Sequence, residues 1–135
     1  MAFNYRNEAV FSNVFCRELR KHKWFVQRIE TGTTGKGVPD IYAVAPNGKA
    51  CWFELKRIHA NAYKNAPVTV PWRPGQQAWL HEVSSKYQQA AYTIACCNNM
   101  ILVIRHDSKV SYKENRVWIT DPDVSLYFKL VDLMR

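Results

Sequence analysis

Two short motifs contain the residues of this chain that could do chemistry. Asp40 ends the segment Gly37-Val38-Pro39-Asp40, and Glu54 and Lys56 lie in the segment Phe53-Glu54-Leu55-Lys56. Hydrolysis of a phosphodiester at a metal centre needs carboxylate oxygens that hold a hard cation, together with a cation or general base near the attacking water. Asp40, Glu54 and Lys56 supply that set of groups.

The second motif has the pattern of a β-strand, from Lys49 to Lys56. Side chains alternate between the two faces of a strand, so Glu54 and Lys56 share one face while Phe53 and Leu55 point to the other. Two residues of strand rise separate the Cα atoms of Glu54 and Lys56 by roughly 6.6 Å. This spacing suits a metal ligand and an ammonium group that both reach one phosphate.

A turn connects the two motifs. The apolar stretch from Asp40 to Ala45 predicts a strand, and Pro46-Asn47-Gly48-Lys49 is a strong turn signal before the next strand. The sequence therefore predicts a hairpin in which Asp40 lies near the open end, opposite Glu54 and Lys56. An ion pair between Glu54 and Lys56 on a solvated strand face is the alternative interpretation.

The order and spacing of these motifs resemble the PD-(D/E)XK nuclease superfamily, and within it the branch of VRR-NUC proteins and archaeal Holliday junction resolvases. Glu8 falls in a predicted first helix, where that branch carries a further glutamate near the metal. The segment from Arg73 to Leu80 resembles the Pro-x-Gln helix start of the branch. The resemblance implies an α/β, restriction-endonuclease-like fold, with a central mixed β-sheet flanked by helices.

The same resemblance implies roles for the site residues. Asp40, Glu54 and the backbone carbonyl of Leu55 would hold one or two Mg²⁺ ions, for which Mn²⁺ would substitute, and Glu8 would be a further ligand, directly or through water. Such oxygen ligands suit a hard cation and not zinc. Lys56 would orient or activate the attacking water.

Further residues would orient groups or contact DNA phosphates. By the resemblance, Gln76 would orient Lys56 or a phosphate, although capping of its own helix is the alternative. Hydroxyl and basic residues that flank the motifs in sequence could contact phosphates: Thr33, Thr34, Lys36, Lys49, Arg57, Lys64 and Arg73. Such contacts position DNA without reading its bases.

Composition and charge are consistent with this interpretation. The chain has 135 residues with 47% hydrophobic and 13% aromatic content, which suits one core and hence a single domain over residues 1–135. Its 19 Lys and Arg against 11 Asp and Glu give a net charge of +8, which suits a polyanionic partner. Acidic residues with catalytic spacing inside a basic chain are what phosphodiester hydrolysis would require.

The sequence also argues against some classes of protein. No stretch approaches the length of a membrane span, and the N-terminus lacks the pattern of a signal peptide, so we expect an intracellular protein. By analogy with small stand-alone nucleases, we expect a phage or bacterial source. The four cysteines show no C-x-x-C spacing, which predicts reduced core thiols and not a zinc site.

Helical and strand patterns alternate along the rest of the chain. We predict an irregular segment from Ala60 to Arg73, helices at Tyr5–His22 with Asn4 as its cap, at Pro74–Gln89 and from Val124 to Leu133, and further strands at Trp24–Glu30, Ala91–Cys96, Ile101–Ile104 and Val117–Ile119. In the second helix, Ala78, Leu80 and Val83 are the predicted buried residues.

Two classes of function stay open on the sequence. The favoured one is a Mg²⁺-dependent DNA endonuclease that acts on branched DNA such as Holliday junctions. By the resemblance it would be a homodimer, with contacts from the first or the last helix. A restriction-type or nicking endonuclease is the alternative within the enzymes. A nucleic-acid-binding module that keeps the fold without catalysis is the alternative class.

Overall fold

The computed structural model describes residues 5–29, 37–106 and 115–119, and the backbone of residues 124–127. Within these residues the chain forms two helices and eight strands. The helices are α1 (Glu8–Lys21) and α2 (Gln76–Tyr87), and the strands are β1 (Phe25–Arg28), β2 (Ile41–Val44), β3 (Ala50–Arg57), β4 (Pro67–Thr69), β5 (Ala90–Cys96), β6 (Ile101–Arg105), β7 (Arg116–Trp118) and β8 (Val124–Tyr127).

Six of the strands form a mixed sheet in the order β1-β2-β3-β5-β6-β8. The central pair, β3 and β5, is parallel, because α2 carries the chain from the end of β3 back to the start of β5. The other neighbours pair antiparallel. Strands β4 and β7 form a separate two-stranded antiparallel sheet. The predicted hairpin is confirmed as β2 and β3.

Both faces of β3 are covered, and each covering layer has its own hydrophobic core. On one face, Phe53 and Leu55 pack in a cluster with Phe11 and Phe15 of α1. The opposite face carries Glu54 and is covered by α2 and by a second cluster around the two-stranded sheet. Glu54 and Lys56 are 1% and 3% exposed, so the alternative of a solvated ion pair is wrong.

The first helix begins later than predicted. Asn7 is its N-cap, with an extended backbone and a side-chain oxygen that accepts a 2.9 Å hydrogen bond from the Val10 N–H. This bond satisfies one of the free N–H groups of the first turn. The predicted cap, Asn4, lies outside the described residues.

The second helix begins at Gln76, two residues after the predicted start at Pro74. Its N-cap is Gly75, with φ +90°. A Cβ atom on neighbouring Gly37 would lie 2.3 Å from the Gly75 carbonyl oxygen, so the loop before β2 approaches the start of α2 closely.

The covered face of α2 differs in part from the prediction. Leu80 is buried as predicted and Val83 is partly buried, whereas Ala78 is exposed. Three polar side chains are buried instead: Gln76, Gln77 and Ser84. The covered face of α2 is therefore largely polar.

The prediction of a helix from Val124 is wrong for the part that the structure describes. Val124–Tyr127 is a strand that pairs with β6, with Leu126 opposite Leu102. Apolar residues at positions 124 and 126 also fit the two-residue period of a strand. Residues 121–123 and 128–135 lie outside the described residues, and the predicted irregular segment contains β4.

The four cysteines are buried and free, as predicted. Among the described residues, no helix has both the length and the apolar character that crossing a membrane requires.

Candidate active site

The hairpin of β2 and β3 brings Asp40 to the second motif. Ile41 is paired with Phe53, and Asp40 directly precedes Ile41. The Leu55 backbone N–H donates a 3.0 Å hydrogen bond to Asp40 Oδ2, and the Ile29 N–H donates to the Asp40 carbonyl oxygen at 2.8 Å. Asp40 is therefore held against the backbone of β3, beside Glu54.

Glu54 is a buried carboxylate with one paired oxygen and one unpaired oxygen. Its Oε1 accepts a 2.7 Å hydrogen bond from Gln76 Nε2 and lies 3.5 Å from Lys56 Nζ. Its Oε2 is buried and receives no hydrogen bond from any described residue. A buried oxygen without a donor costs free energy, and in native structures such an oxygen commonly faces an ion or water.

The pKa values of Glu54 and Glu8 are both raised in the folded protein. Burial, and next the charge of Asp40, raise the pKa of Glu54 to about 8, although Lys56 opposes them. Burial also raises the pKa of Glu8, which Lys56 lowers and Asp40 raises. Lys56 therefore offsets burial and the charge of Asp40 only in part, and a cation beside Glu54 would favour its ionised form.

Gln76 bonds to Glu54 and not to Lys56, whereas its predicted role toward a phosphate stays a prediction. Its Oε1 accepts a 2.8 Å hydrogen bond from the Arg73 N–H, which fixes the amide so that Nε2 points to Glu54. Gln76 therefore holds Glu54, and its observed bonds do not include Lys56. This position at the start of α2 places the helix directly over the acidic pair.

A cavity of about 440 Å³ lies beside Asp40. Glu8 lines it from the first turn of α1, and Leu55 lines it from β3, so the structure brings these two predicted residues together with Asp40. Ser12 and Arg28 also line the cavity, and Arg28 Nη2 donates a 2.6 Å hydrogen bond to Ser12 Oγ.

Ser12 and Arg28 were not predicted from the sequence. Ser12 lies four residues after Glu8, which places both on the same side of a helix, and that spacing is a signal that points to it. Arg28 had no signal of its own, because its place beside Asp40 depends on the pairing of β1 with β2. The cavity therefore combines acidic groups with a basic one.

The groups around Asp40 fit magnesium in one particular way. Among the described residues, no three His, Cys, Asp or Glu side chains converge closely enough to enclose a metal ion, so Glu8 does not join Asp40 and Glu54 in one ligand cluster. Magnesium is usually held by one or two carboxylates, with waters and substrate oxygens completing its shell. Asp40 and the unpaired Oε2 of Glu54 match that pattern.

The predicted phosphate contacts have different outcomes. Thr33, Thr34 and Lys36 lie outside the described residues. Lys64 and Arg73 are exposed. Lys49 is exposed at the opposite end of β3 from Glu54.

Arg57 is buried, and the prediction that it contacts a DNA phosphate is corrected. It is 6% exposed, and its guanidinium donates to the carbonyl oxygens of Tyr5, Ile58 and Cys96 and to Asn98 Oδ1. A guanidinium has five N–H donors, and a buried guanidinium needs acceptors for them. Arg57 therefore connects the strand ends to each other.

Comparison with known proteins adds evidence on the fold. No family model and no curated protein matches the chain. Among solved structures, the chain is similar to Hjc of Archaeoglobus fulgidus, a Holliday junction resolvase from an archaeal hyperthermophile. The two share 15% identity with a TM-score of 0.55, over 79% of this chain and 84% of that chain. The predicted restriction-endonuclease-like α/β fold is confirmed.

Proposed function

We propose that this protein is a metal-dependent endonuclease that hydrolyses phosphodiester bonds in DNA, with branched DNA such as a Holliday junction as its substrate. The observation that carries the proposal is the buried Glu54 beside Asp40, with one oxygen that no described residue pairs. The likeness to a Holliday junction resolvase supports it, as does the net charge of +8.

Asp40, Glu54 and the Leu55 carbonyl would hold Mg²⁺ or Mn²⁺, with Glu8, which lines the cavity beside Asp40, as a further ligand through water. The bound ion would supply the positive charge that activates water and offsets charge developing on the phosphate. Gln76 holds Glu54 Oε1, which leaves Oε2 for the cation. One metal ion or two would fit this proposal.

Lys56 has the second chemical role. Its ammonium group is 3.5 Å from Glu54 Oε1, and Lys56 as a residue is 3% exposed, so burial and pairing restrict the position of the ammonium group. From there it would donate a hydrogen bond to the attacking water or to a phosphate oxygen. Arg28, which lines the cavity beside Asp40, would contact a phosphate near the scissile one.

Several finer points stay predictions: the VRR-NUC branch, a single domain over residues 1–135, a homodimer, an intracellular location and a phage or bacterial source. The first helix is the remaining candidate for the dimer contact among the described residues, because the described part of the last predicted helix is a strand.

The experiment that tests the proposal measures cleavage of four DNA substrates: a four-way junction, a flap, a single strand and a linear duplex. Each is incubated with wild type, Asp40→Asn or Lys56→Gln in Mg²⁺, Mn²⁺ or EDTA. Glu82→Gln is the matched control, because Glu82 is exposed and pairs only with Lys86 among the described residues. We expect metal-dependent cutting by wild type and by the control, and none by the two site variants.

The other functions correspond to other outcomes. Cutting in EDTA, or full activity of Asp40→Asn, would contradict the metal mechanism. Binding without cleavage in any metal would favour the non-catalytic module. Equal cutting of junction and linear duplex would leave a restriction-type or nicking endonuclease as the better description.

A further inference from the structure

A second cavity lies at the opposite end of the sheet from the acidic pair. Its volume is about 330 Å³, and its lining includes the polar residues Lys49, Ser84, Gln88, Gln89 and Arg105. The remaining wall comes from Ala90, Ala91 and Tyr92 at the start of β5. Of the described side chains that line this cavity, two are cationic and none is acidic.

The separation between this cavity and the acidic pair follows from the lengths of strand β3 and helix α2. Lys49 precedes Glu54 by five residues along an extended chain, which is roughly 16 Å at 3.3 Å per residue. Helix α2 begins at Gln76, which is bonded to Glu54, and its C-cap is Gln88 at the cavity. Twelve residues of helical rise give roughly 18 Å. Both measures place the cavity at the far end of the elements that carry the site.

Several groups that line the cavity can donate hydrogen bonds to a ligand. The Trp52 indole N–H can only donate, and it donates to Gln89 Oε1 at 2.7 Å, which leaves the Gln89 amide nitrogen as a donor to a ligand. Ser84 adds a hydroxyl group on a side chain that is 8% exposed. Lys49 and Arg105 are exposed, and neither forms an ion pair with a described carboxylate.

The net charge of the cavity favours an anion. The C-terminal end of α2 lies at its wall and carries about half a negative charge, which disfavours an anion. Lys49 and Arg105 contribute two full positive charges and outweigh it. Charge-assisted hydrogen bonds from lysine and arginine to phosphate oxygens are short and strong, so a phosphate group is the ligand that fits this lining.

We infer that this cavity binds a backbone phosphate of a DNA segment other than the one that lies at Asp40 and Glu54. The inference rests on the proposed function and deepens it, because it supplies a reason to prefer branched DNA. A four-way junction directs its arms in different directions, so one arm can lie at the acidic pair while a second arm lies at this cavity, whereas a linear duplex offers a single segment.

The test compares two double variants that remove the same charge from exposed positions. Lys49→Gln with Arg105→Gln removes both cations of the cavity. Lys21→Gln with Lys86→Gln is the control, because both lysines are exposed and neither lines the cavity. Binding to a labelled four-way junction and to a linear duplex of equal total length is measured by fluorescence anisotropy over a range of salt concentrations, in EDTA.

We expect the cavity variant to bind the junction roughly tenfold more weakly, with the slope of log K against log salt reduced by about 1 for each phosphate that it no longer binds. Its duplex binding should change by less than about twofold, as should both affinities of the control. Thermal unfolding of each variant in buffer checks that the fold is kept. Unchanged junction binding by the cavity variant, or equal losses on both DNAs, would overturn the inference.

A separate arm distinguishes DNA from a small anion. Inorganic phosphate is added to wild type and to the cavity variant, and the unfolding midpoint is measured. Stabilisation of wild type only, with unchanged junction binding by the cavity variant, would make this a small-anion site and refute the DNA assignment. Binding is measured in EDTA and so does not depend on cleavage. If wild type cuts no DNA but the cavity variant still binds the junction more weakly, the proposed nuclease activity is refuted and this inference stands.

Discussion

Strand β3 buries three charged residues, Glu54, Lys56 and Arg57, and the surroundings of Glu54 and Arg57 differ in one respect. The Arg57 guanidinium donates to four acceptors contributed by the chain. Glu54 has donors at Oε1 only, and its Oε2 has none among the described residues. A buried charged group whose hydrogen bonds are made within the chain stabilises the fold. A buried carboxylate with an unpaired oxygen indicates a place where a ligand can bind.

The largest expected effect comes from removing the charge of Glu54, the carboxylate with the unpaired oxygen. Glu54→Gln keeps the size of the side chain but removes the charge that would hold the cation. We expect DNA cleavage to fall by about 10³-fold or more, measured as single-turnover rates in Mg²⁺. Cleavage within about tenfold of wild type would place the metal elsewhere.

Arg57→Met tests the contribution of the buried Arg57 guanidinium and its hydrogen bonds to stability. It leaves buried carbonyl oxygens and Asn98 without their donor, so we expect the free energy of unfolding to fall by about 3–5 kcal/mol in urea titrations, with or without Mg²⁺. Arg73→Met is the matched control, because Arg73 is exposed, and it should cost less than about 0.5 kcal/mol. Equal stability of the two variants would mean that the Arg57 hydrogen bonds do not stabilise the fold.

The raised pKa of Glu54 also predicts that the stability of the fold depends on pH in the absence of metal. The pKa of Glu54 is about 8 in the folded protein and 4.5 when unperturbed, so the folded state binds the proton more tightly. Stability from this group is therefore complete below 4.5 and is lost as the pH rises toward about 8. We expect the unfolding midpoint of wild type in EDTA to fall across this window by more than that of Glu54→Gln.

Addition of Mg²⁺ sharpens that experiment. A cation beside Asp40 and Glu54 would favour the ionised carboxylates, so Mg²⁺ should raise the midpoint of wild type at alkaline pH and leave that of Glu54→Gln almost unchanged. An equal Mg²⁺ response of both proteins would contradict a site at Glu54.

Variants of Gln76 test whether its hydrogen bond to Glu54 is needed for cleavage. Gln76→Leu removes the donor to Oε1, and we expect cleavage to fall by about 10- to 100-fold, the usual cost of losing a group that orients a metal ligand. Gln76→Glu is a second variant that keeps the shape but cannot donate when ionised. Its activity should recover as the pH is lowered, whereas that of Gln76→Leu should not.

The smallest expected effect is at the edge of the cavity beside Asp40. Arg28→Gln should weaken DNA binding by roughly threefold to tenfold and lower the salt dependence by about one phosphate contact. Ser12→Ala, which removes the hydrogen-bond partner of Arg28, should have a smaller effect in the same direction. Unchanged binding of Arg28→Gln would show that DNA does not reach this side of the cavity.

Much of the fold was predictable because its signals are local. The hairpin, the first helix and strands β5 and β6 follow from turn residues and apolar periods within a few residues of each other. The last segment was mistaken for a helix because Val124 and Leu126 fit both periods, and only pairing with β6 selects the strand. The error at Ala78 has a similar cause, since polar packing against Glu54 decides which face of α2 is covered.

The sequence by itself determined which chemical groups are available and that Glu54 and Lys56 share a face beside Asp40, because strand alternation and a tight turn act over short distances. Only the tertiary structure decided that Glu54 is buried with an unpaired oxygen, that Gln76 holds it, and that Arg57 is satisfied within the fold. Those properties depend on contacts between residues far apart in the chain, and no local pattern specifies which acceptor or donor will meet which charge.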